Sequence, residues 1–255
     1  MSSRAQQKAA ARQARLEAEA ADRRRAARRR GFARLGAVSA LALVVVVAAV
    51  VAGPTGGRDA GSPAPATSAT FDGIPQDGIS LGSPTAPAVL TEFADLQCPF
   101  CATYARDVLP AVIDRYVRSG RLRLELQVLS FLGEDSVRAG ALAAAAARQD
   151  RLWPFTDAVY RSQGPENSGY ATDAFLRTTA EATPGLDVAR AFGDRDRPRA
   201  LATLAEAERT AEALGVDHTP SFHLRRGDGP ARPLEPSALT AAAFTAALDE
   251  ALAAR

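Results

Sequence analysis

Glu92-Phe93-Ala94-Asp95-Leu96-Gln97-Cys98-Pro99-Phe100-Cys101 is the stretch that decides the fold. It closes an apolar run that begins at Ala88, and it ends in a CxxC pair formed by the only 2 cysteines of the chain. Ala88-Val89-Leu90-Thr91-Glu92-Phe93-Ala94 is nearly continuous in apolar character, as a strand covered on both faces requires. Directly beyond the cysteines, Tyr104, Val108, Leu109, Val112, Ile113 and Tyr116 recur at helical spacing up to Ser119-Gly120. A CxxC pair that follows a strand and opens a helix is a redox pattern. The helix N-terminus favours a thiolate on the first cysteine, and the spacing lets the second reach it. With no third cysteine, neither thiol can be drawn into another intramolecular disulfide.

Working outward, Pro110 lies inside the helix and predicts a kink. Leu122, Leu124, Leu126 and Val128 alternate with Arg123, Glu125 and Gln127, which gives a second strand and completes a βαβ unit with parallel strands. After Ser130 the pattern turns helical: Val137 to Ala147, a segment opening at Trp153-Pro154, Asp173 to Glu181, and Ala200 to Leu214 with Gly215 as C-cap. Trp153, Phe155 and Tyr160 read as the core of this helical part. Strand character resumes at Pro220-Ser221-Phe222-His223-Leu224, turns near Gly227-Asp228-Gly229 and continues around Ala231 to Leu234. A last helix is expected from Ser237 to Ala253, with Leu239, Phe244 and Leu248 facing inward.

Toward the N-terminus the composition changes. Residues 1–53 carry 11 Lys and Arg against 3 Asp and Glu, which leaves the remainder with 20 against 26. Nucleic-acid binding by the acidic folded part is disfavoured, because neutralising phosphates needs a basic face. The basic arm instead precedes residues 35–52, 18 residues without a charged side chain, enough for a helix to cross the hydrocarbon core. Seven arginines between Arg23 and Arg34 stand before the span, so the positive-inside rule keeps the N-terminus cytoplasmic and exports the rest. A cleaved signal peptide is the competing reading. Against it stand the long basic segment and an apolar run longer than the usual h-region. Residues 53–72, rich in Gly, Pro and Ala, cannot bury a core and read as a flexible tether; their first 18 residues span roughly 23 Å. The expected organisation is a cytoplasmic arm over 1–34, a transmembrane helix over 35–52, the tether over 53–72 and one globular domain over 73–255.

Together with Gly215-Val216-Asp217-His218-Thr219-Pro220-Ser221-Phe222 far downstream, the cysteine-bearing stretch closely resembles the DsbA-like branch of the thioredoxin superfamily, over roughly residues 75–255. The resemblance implies an α/β thioredoxin fold, a central mixed sheet flanked by helices, with an inserted α-helical subdomain at about 134–214. It also implies a redox-active Cys98–Cys101 disulfide and a cis peptide before Pro220. Cys98, at the helix N-terminus, is the candidate nucleophile, with a depressed pKa. Cys101, one turn in, is the buried resolving thiol. Glu92 interrupts the apolar strand where the resemblance places a buried acid beneath the active site; there it would exchange a proton with Cys101. Asp95, nearer the strand end, reads as a turn or capping residue. Pro99, Phe100, His218, Thr219 and Pro220 are expected around the substrate groove, where the residue before the cis proline offers backbone hydrogen bonds to an extended peptide. Phe100 departs from the histidine that strongly oxidising relatives often carry between the cysteines, and a neighbouring His⁺ would stabilise the thiolate.

Zinc is the alternative use of Cys98, Cys101, His218 and His223. The two halves are too far apart for a compact site, and the histidines, five apart on an expected strand, would point to opposite faces; no metal and no cofactor is expected. The function expected is a membrane-anchored, extracytoplasmic thiol–disulfide oxidoreductase that forms disulfides in exported, cysteine-containing proteins. The resemblance implies reoxidation by a quinone-linked membrane partner of the DsbB or vitamin-K-epoxide-reductase type. Alternatives are a reductase or isomerase using the same site, and a non-catalytic module that holds extended peptides in the thioredoxin groove.

Overall fold

A computed structural model describes residues 69–253. The expected cytoplasmic arm, the membrane span and most of the tether lie outside the described residues. Among the described residues no helix is long and apolar enough to cross a membrane.

The apolar strand forms as its composition requires: β3 runs Ala88–Asp95, buried along almost its whole length. It pairs in parallel with β4, Arg123–Leu129, from Val89↔Arg123 to Asp95↔Leu129. On its other side it pairs antiparallel with β5, Ser221–Arg226. Two short segments that hydrophobic periodicity does not reveal, β1 (Gln76–Asp77) and β2 (Ser80–Leu81), form a hairpin on the outer edge of β4. Arg232–Pro233, β6, flanks β5, so the mixed sheet has the order β1-β2-β4-β3-β5-β6.

Between β3 and β4 lies α1, residues 99–117, continuous but not uniform. Its first turn is α-helical, and two π turns follow at Tyr104–Val108 and Ile113–Val117, separated by Leu109–Val112. Pro110 has no N–H to give, and the π turn before it, closed by the bond from Leu109 N to Tyr104 O, absorbs the missing hydrogen bond. From β4 to β5 the chain passes through five helices: α2 (Glu134–Ala147), α3 (Leu152–Arg161), α4 (Asp173–Glu181), α5 (Val188–Asp194) and α6 (Pro198–Leu214). α5 is too short and polar to announce itself by periodicity. Gly215 ends α6 in the left-handed region at φ +68°, as a C-cap glycine does.

The last helix, α7, covers Ala241–Ala253 and begins a turn later than Ser237. The Thr240 hydroxyl accepts the Ala243 N–H and the Thr240 carbonyl accepts the Phe244 N–H, so the cap stands there. The β5 ladder begins at Ser221 and not Pro220, because proline has no donor to contribute. His218 consequently sits in the loop before the strand, and the expectation that it shares a strand with His223 is corrected.

Strand alternation divides the core. Leu90 and Ala94 face the main cluster formed with α1 and α7, where Tyr104, Phe222 and Phe244 stack with centroids 4.6–5.1 Å apart. Phe93 and Leu129 face α6 through Ala207 and Ala211. The Tyr116 hydroxyl donates to Thr245 O and Asp249 Oδ1, which pins the far end of α1 to α7. The first turn of α1 is thereby held at the C-terminal ends of β3 and β4, where the chemistry lies.

Candidate active site

Cys98 is the N-cap of α1, with extended backbone at φ −67° and ψ 120°. Its Sγ accepts the Cys101 N–H at 3.4 Å, the bond that a serine or aspartate oxygen makes at an ordinary cap. Both cysteines are free thiols in this structure. The Cys98 thiol donates to the Thr219 carbonyl at 3.4 Å, and the Thr219–Pro220 peptide is cis.

Hydrogen bonding by the Cys101 side chain lowers the Cys98 pKa most. Burial opposes it, while the Cys101 backbone, the Thr219 side chain and the Phe100 backbone add to it, bringing the thiol from 9.0 down to about 6. At neutral pH Cys98 is therefore a thiolate without a cationic neighbour supplying the stabilisation; the exposed Phe100 side chain beside it carries no charge. Cys101 is fully buried. Burial and the adjacent Cys98 push its thiol well above the ordinary value. One thiol is poised to attack or leave, and the other is held protonated.

Glu92 is 4% exposed and stands on the same strand face as Leu90 and Ala94, pointing toward α1. Burial first, and the Cys98 charge second, raise its pKa from 4.5 to about 8. Its charge also raises the pKa values of Cys101 and Tyr104, so it is electrically in register with the dithiol. A carboxyl that is protonated near neutrality and coupled to the resolving thiol can give or take the proton that thiol needs.

Asp95 is more than a turn residue. Fully buried, it accepts the Gln97 N–H (2.8 Å) and the Ser136 hydroxyl (2.6 Å) on Oδ1, and the Phe131 and Leu132 N–H groups on Oδ2. It binds the active-site loop to the segment leading into α2. Gln97, also buried, donates to Leu132 O and Ser136 Oγ and accepts the Asn167 N–H. From the helical insertion, the Tyr160 hydroxyl donates to Asp95 O, the Tyr170 hydroxyl to Leu96 O, and the Gln163 amide to both Leu96 O and Cys98 O. None of these except Tyr160, read as core, is distinguished by the sequence. Their partners lie dozens of residues away, and most of the acceptors are backbone carbonyls, which carry no sequence signal.

A groove of about 680 Å³ opens beside the cysteines, lined by Phe100, His218, Thr219, Pro220, Phe222 and Leu239 among others. Phe100 is 66% exposed on its rim. Pro99 is exposed at N1 of α1. His218 lines the groove, but its Nδ1 pairs with Asp217 at 2.8 Å and its ring stands in solvent. His223 is buried on the opposite sheet face against Phe93, and burial lowers its pKa. The structure therefore brings Cys98, Cys101, Glu92 and Thr219 together and leaves both histidines apart from the sulfur chemistry.

A mixed sheet whose parallel β3–β4 pair is joined by a helix opening on a dithiol, facing a cis-proline loop, defines a thioredoxin-fold protein with a redox-competent site. The sequence profile of the family described as Thioredoxin matches residues 75–241, and the chain belongs to that family, as a DsbA-like thiol–disulfide oxidoreductase. It is 30% identical over 148 residues to the probable disulfide bond formation protein D of Bacillus cereus, a match covering 57% of this chain and 68% of that protein. The disulfide bond formation protein D of Bacillus subtilis is 21% identical over 147 residues, 56% of this chain and 66% of that one. Among solved structures, oxidised BdbD from Bacillus subtilis superposes with a TM-score of 0.59 at 17% identity, covering 71% of this chain and 98% of its own. A thioredoxin-like oxidoreductase from Silicibacter pomeroyi gives 0.54 at 25% identity, covering 74% and 100%.

Proposed function

We propose that this protein is a membrane-anchored, extracytoplasmic oxidant that forms disulfides in exported, cysteine-containing proteins. The observation that carries the direction is the unequal dithiol. A Cys98 thiolate stabilised to a pKa of about 6 favours the reduced form, and a protein whose reduced form is favoured gives its disulfide away. A substrate thiolate attacks Cys98 Sγ of the Cys98–Cys101 disulfide. The Cys98–Cys101 bond breaks, the electron pair leaves on Cys101, and Glu92 delivers the proton that neutralises it. A second substrate thiolate then attacks the substrate sulfur of the mixed disulfide and expels Cys98 as a thiolate. The substrate has lost two electrons and the dithiol has gained them.

The edge of β5 before its pairing with β6 supports backbone recognition of an extended peptide at Thr219–Ser221. Residues 35–52 would hold the chain in the membrane, and the tether would let the domain reach its substrates. Reoxidation requires an electron acceptor, for which a quinone-linked membrane protein of the DsbB or vitamin-K-epoxide-reductase type fits an anchored domain. The test uses the oxidised, detergent-solubilised full chain and a reduced, unfolded protein with paired cysteines. Stoichiometric disulfide transfer, lost in Cys98→Ala, is expected. Failure to transfer, with insulin reduction by the reduced chain, would reverse the direction; indifference to Cys98 would leave only a peptide-binding module.

A further inference from the structure

We propose that Gln163 is a positioning residue for the nucleophile, fixing the Cys98 main chain so that its sulfur stays against the Cys101 N–H. This rests on the thiol–disulfide reading of the site. Gln163 stands two residues beyond α3, in a strap running to Tyr170 that crosses the loop before the cysteines. Its side-chain amide donates to Leu96 O at 2.9 Å and to Cys98 O at 3.2 Å, so one group bridges the cap residue's own carbonyl and the carbonyl two residues before it. The Cys98 carbonyl also accepts the Ala102 N–H at 3.2 Å, the first bond of the helix.

The strap is built for this approach. The Tyr170 ring packs so close to Gly164 that a Cβ there would lie 2.6 Å from it, and the Tyr170 hydroxyl reaches Leu96 O. The Asn167 N–H, at φ +55°, donates to Gln97 Oε1, and a Cβ on Gly133 would lie 2.4 Å from Asn167 Oδ1. The consequence for the chemistry is geometric. The thiolate is stabilised by hydrogen bonds from the Cys101 side chain and backbone, which hold only if Sγ is aimed at them, and that aim is set by the Cys98 main chain. Histidine is absent between the cysteines, so no mobile cation at that position replaces a lost cap bond. An amide places donor hydrogens on both carbonyls; a carboxylate of the same shape offers only acceptors and adds negative charge beside the thiolate.

The test is the pH dependence of iodoacetamide alkylation of Cys98, read by mass spectrometry on the reduced full chain, with thermal melting recorded for each variant. In Gln163→Met the Cys98 acidity constant is expected to fall about fivefold, the worth of one hydrogen bond. Gln163→Glu is expected to lower it at least as far, and carries the test if the methionine variant fails to fold. Tyr170→Phe, which removes a different strap bond to Leu96 O, is expected to lower the melting temperature while moving Cys98 acidity less than twofold. Wild-type titration in both Gln163 variants would overturn the assignment, as would an equal shift in Tyr170→Phe. A wild-type Cys98 that titrates as an ordinary thiol would instead defeat the reading of the site itself.

Discussion

Glu92 and Cys98 respond to pH in opposite senses, and the difference separates their roles. Cys98 has its pKa depressed in the fold, so it contributes stability at alkaline pH that is lost as pH falls through about 6. Alkylation of Cys98 should therefore reach half its maximal rate near pH 6, with Cys101 unreactive at neutrality; a Cys101 that alkylates first would invert the assignment. Offered a disulfide-bearing protein, Cys101→Ala should be trapped as a mixed disulfide, because the Cys98 thiolate attacks that disulfide and expels one of its sulfurs as a thiolate while the internal escape through Cys101 is missing; Cys98→Ala should trap none. Glu92 has its pKa raised, from 4.5 to about 8, so the folded state binds a proton that the unfolded state has released, and stability declines as pH rises through that window. Glu92→Gln, which cannot ionise, should stabilise the protein by about 2 kcal/mol at pH 7 in urea unfolding. It should also slow opening of the Cys98–Cys101 disulfide by a substrate thiol, about tenfold in stopped-flow exchange, because Glu92 supplies the proton that Cys101 takes up on leaving. A variant that is no more stable and whose disulfide opens at the wild-type rate would reduce Glu92 to a passive buried group. Glu92 was legible in the sequence as a lone acid in an apolar strand; Gln163 was not, because nothing local marks a half-buried glutamine in a polar loop.

Elements meet at the active-site loop through hydrogen bonds that cross between the sheet and the helical insertion. Asp95 gathers four donors in a fully buried setting, and its replacement leaves several of them without a partner. Asp95→Ala should destabilise the protein by about 3 kcal/mol in urea unfolding, the range for breaking a buried, multiply bonded carboxylate. Gly133 sits at φ +103°, where side-chain residues are strained, directly against Asn167. Gly133→Ala should cost about 1–3 kcal/mol, mainly in backbone strain since the Asn167 tip can swing aside. A melt indistinguishable from wild type in either variant would show that the loop does not depend on these contacts. At this scale the periodic elements, β3, α1, β4, α2 and α4, were readable from residue spacing. The β1–β2 hairpin was not, since two-residue strands have no period and exist only because β4 offers them an edge. The π turns of α1 were likewise hidden: Pro110 announced a disturbance, but packing decided that the helix would continue through it.

For the whole molecule the two redox forms should differ in how stability depends on pH. The oxidised form has no thiol to titrate, whereas the reduced form carries the depressed Cys98. The unfolding free energy of the reduced chain, relative to the oxidised one, should rise by about 2 kcal/mol between pH 6 and pH 8. A difference independent of pH, measured by paired denaturant titrations, would mean that the thiolate does not stabilise the reduced fold. The sequence by itself determined the strand-to-helix placement of the cysteines, the parallel β3–β4 pair, the long helical stretch before β5 and the family to which these belong. The first three are written in local periodicity or in adjacent residues, and the family in the resemblance of two motifs, Glu92–Cys101 and Gly215–Phe222, taken together. Only the tertiary structure decided that Glu92 is buried against the dithiol, that Thr219 rather than His218 meets Cys98, and that Asp95, Gln97, Gln163 and Tyr170 clamp the loop. These depend on groups that are distant along the chain, many of them backbone carbonyls and N–H groups common to all residues, and their meeting is set by packing that no local pattern encodes.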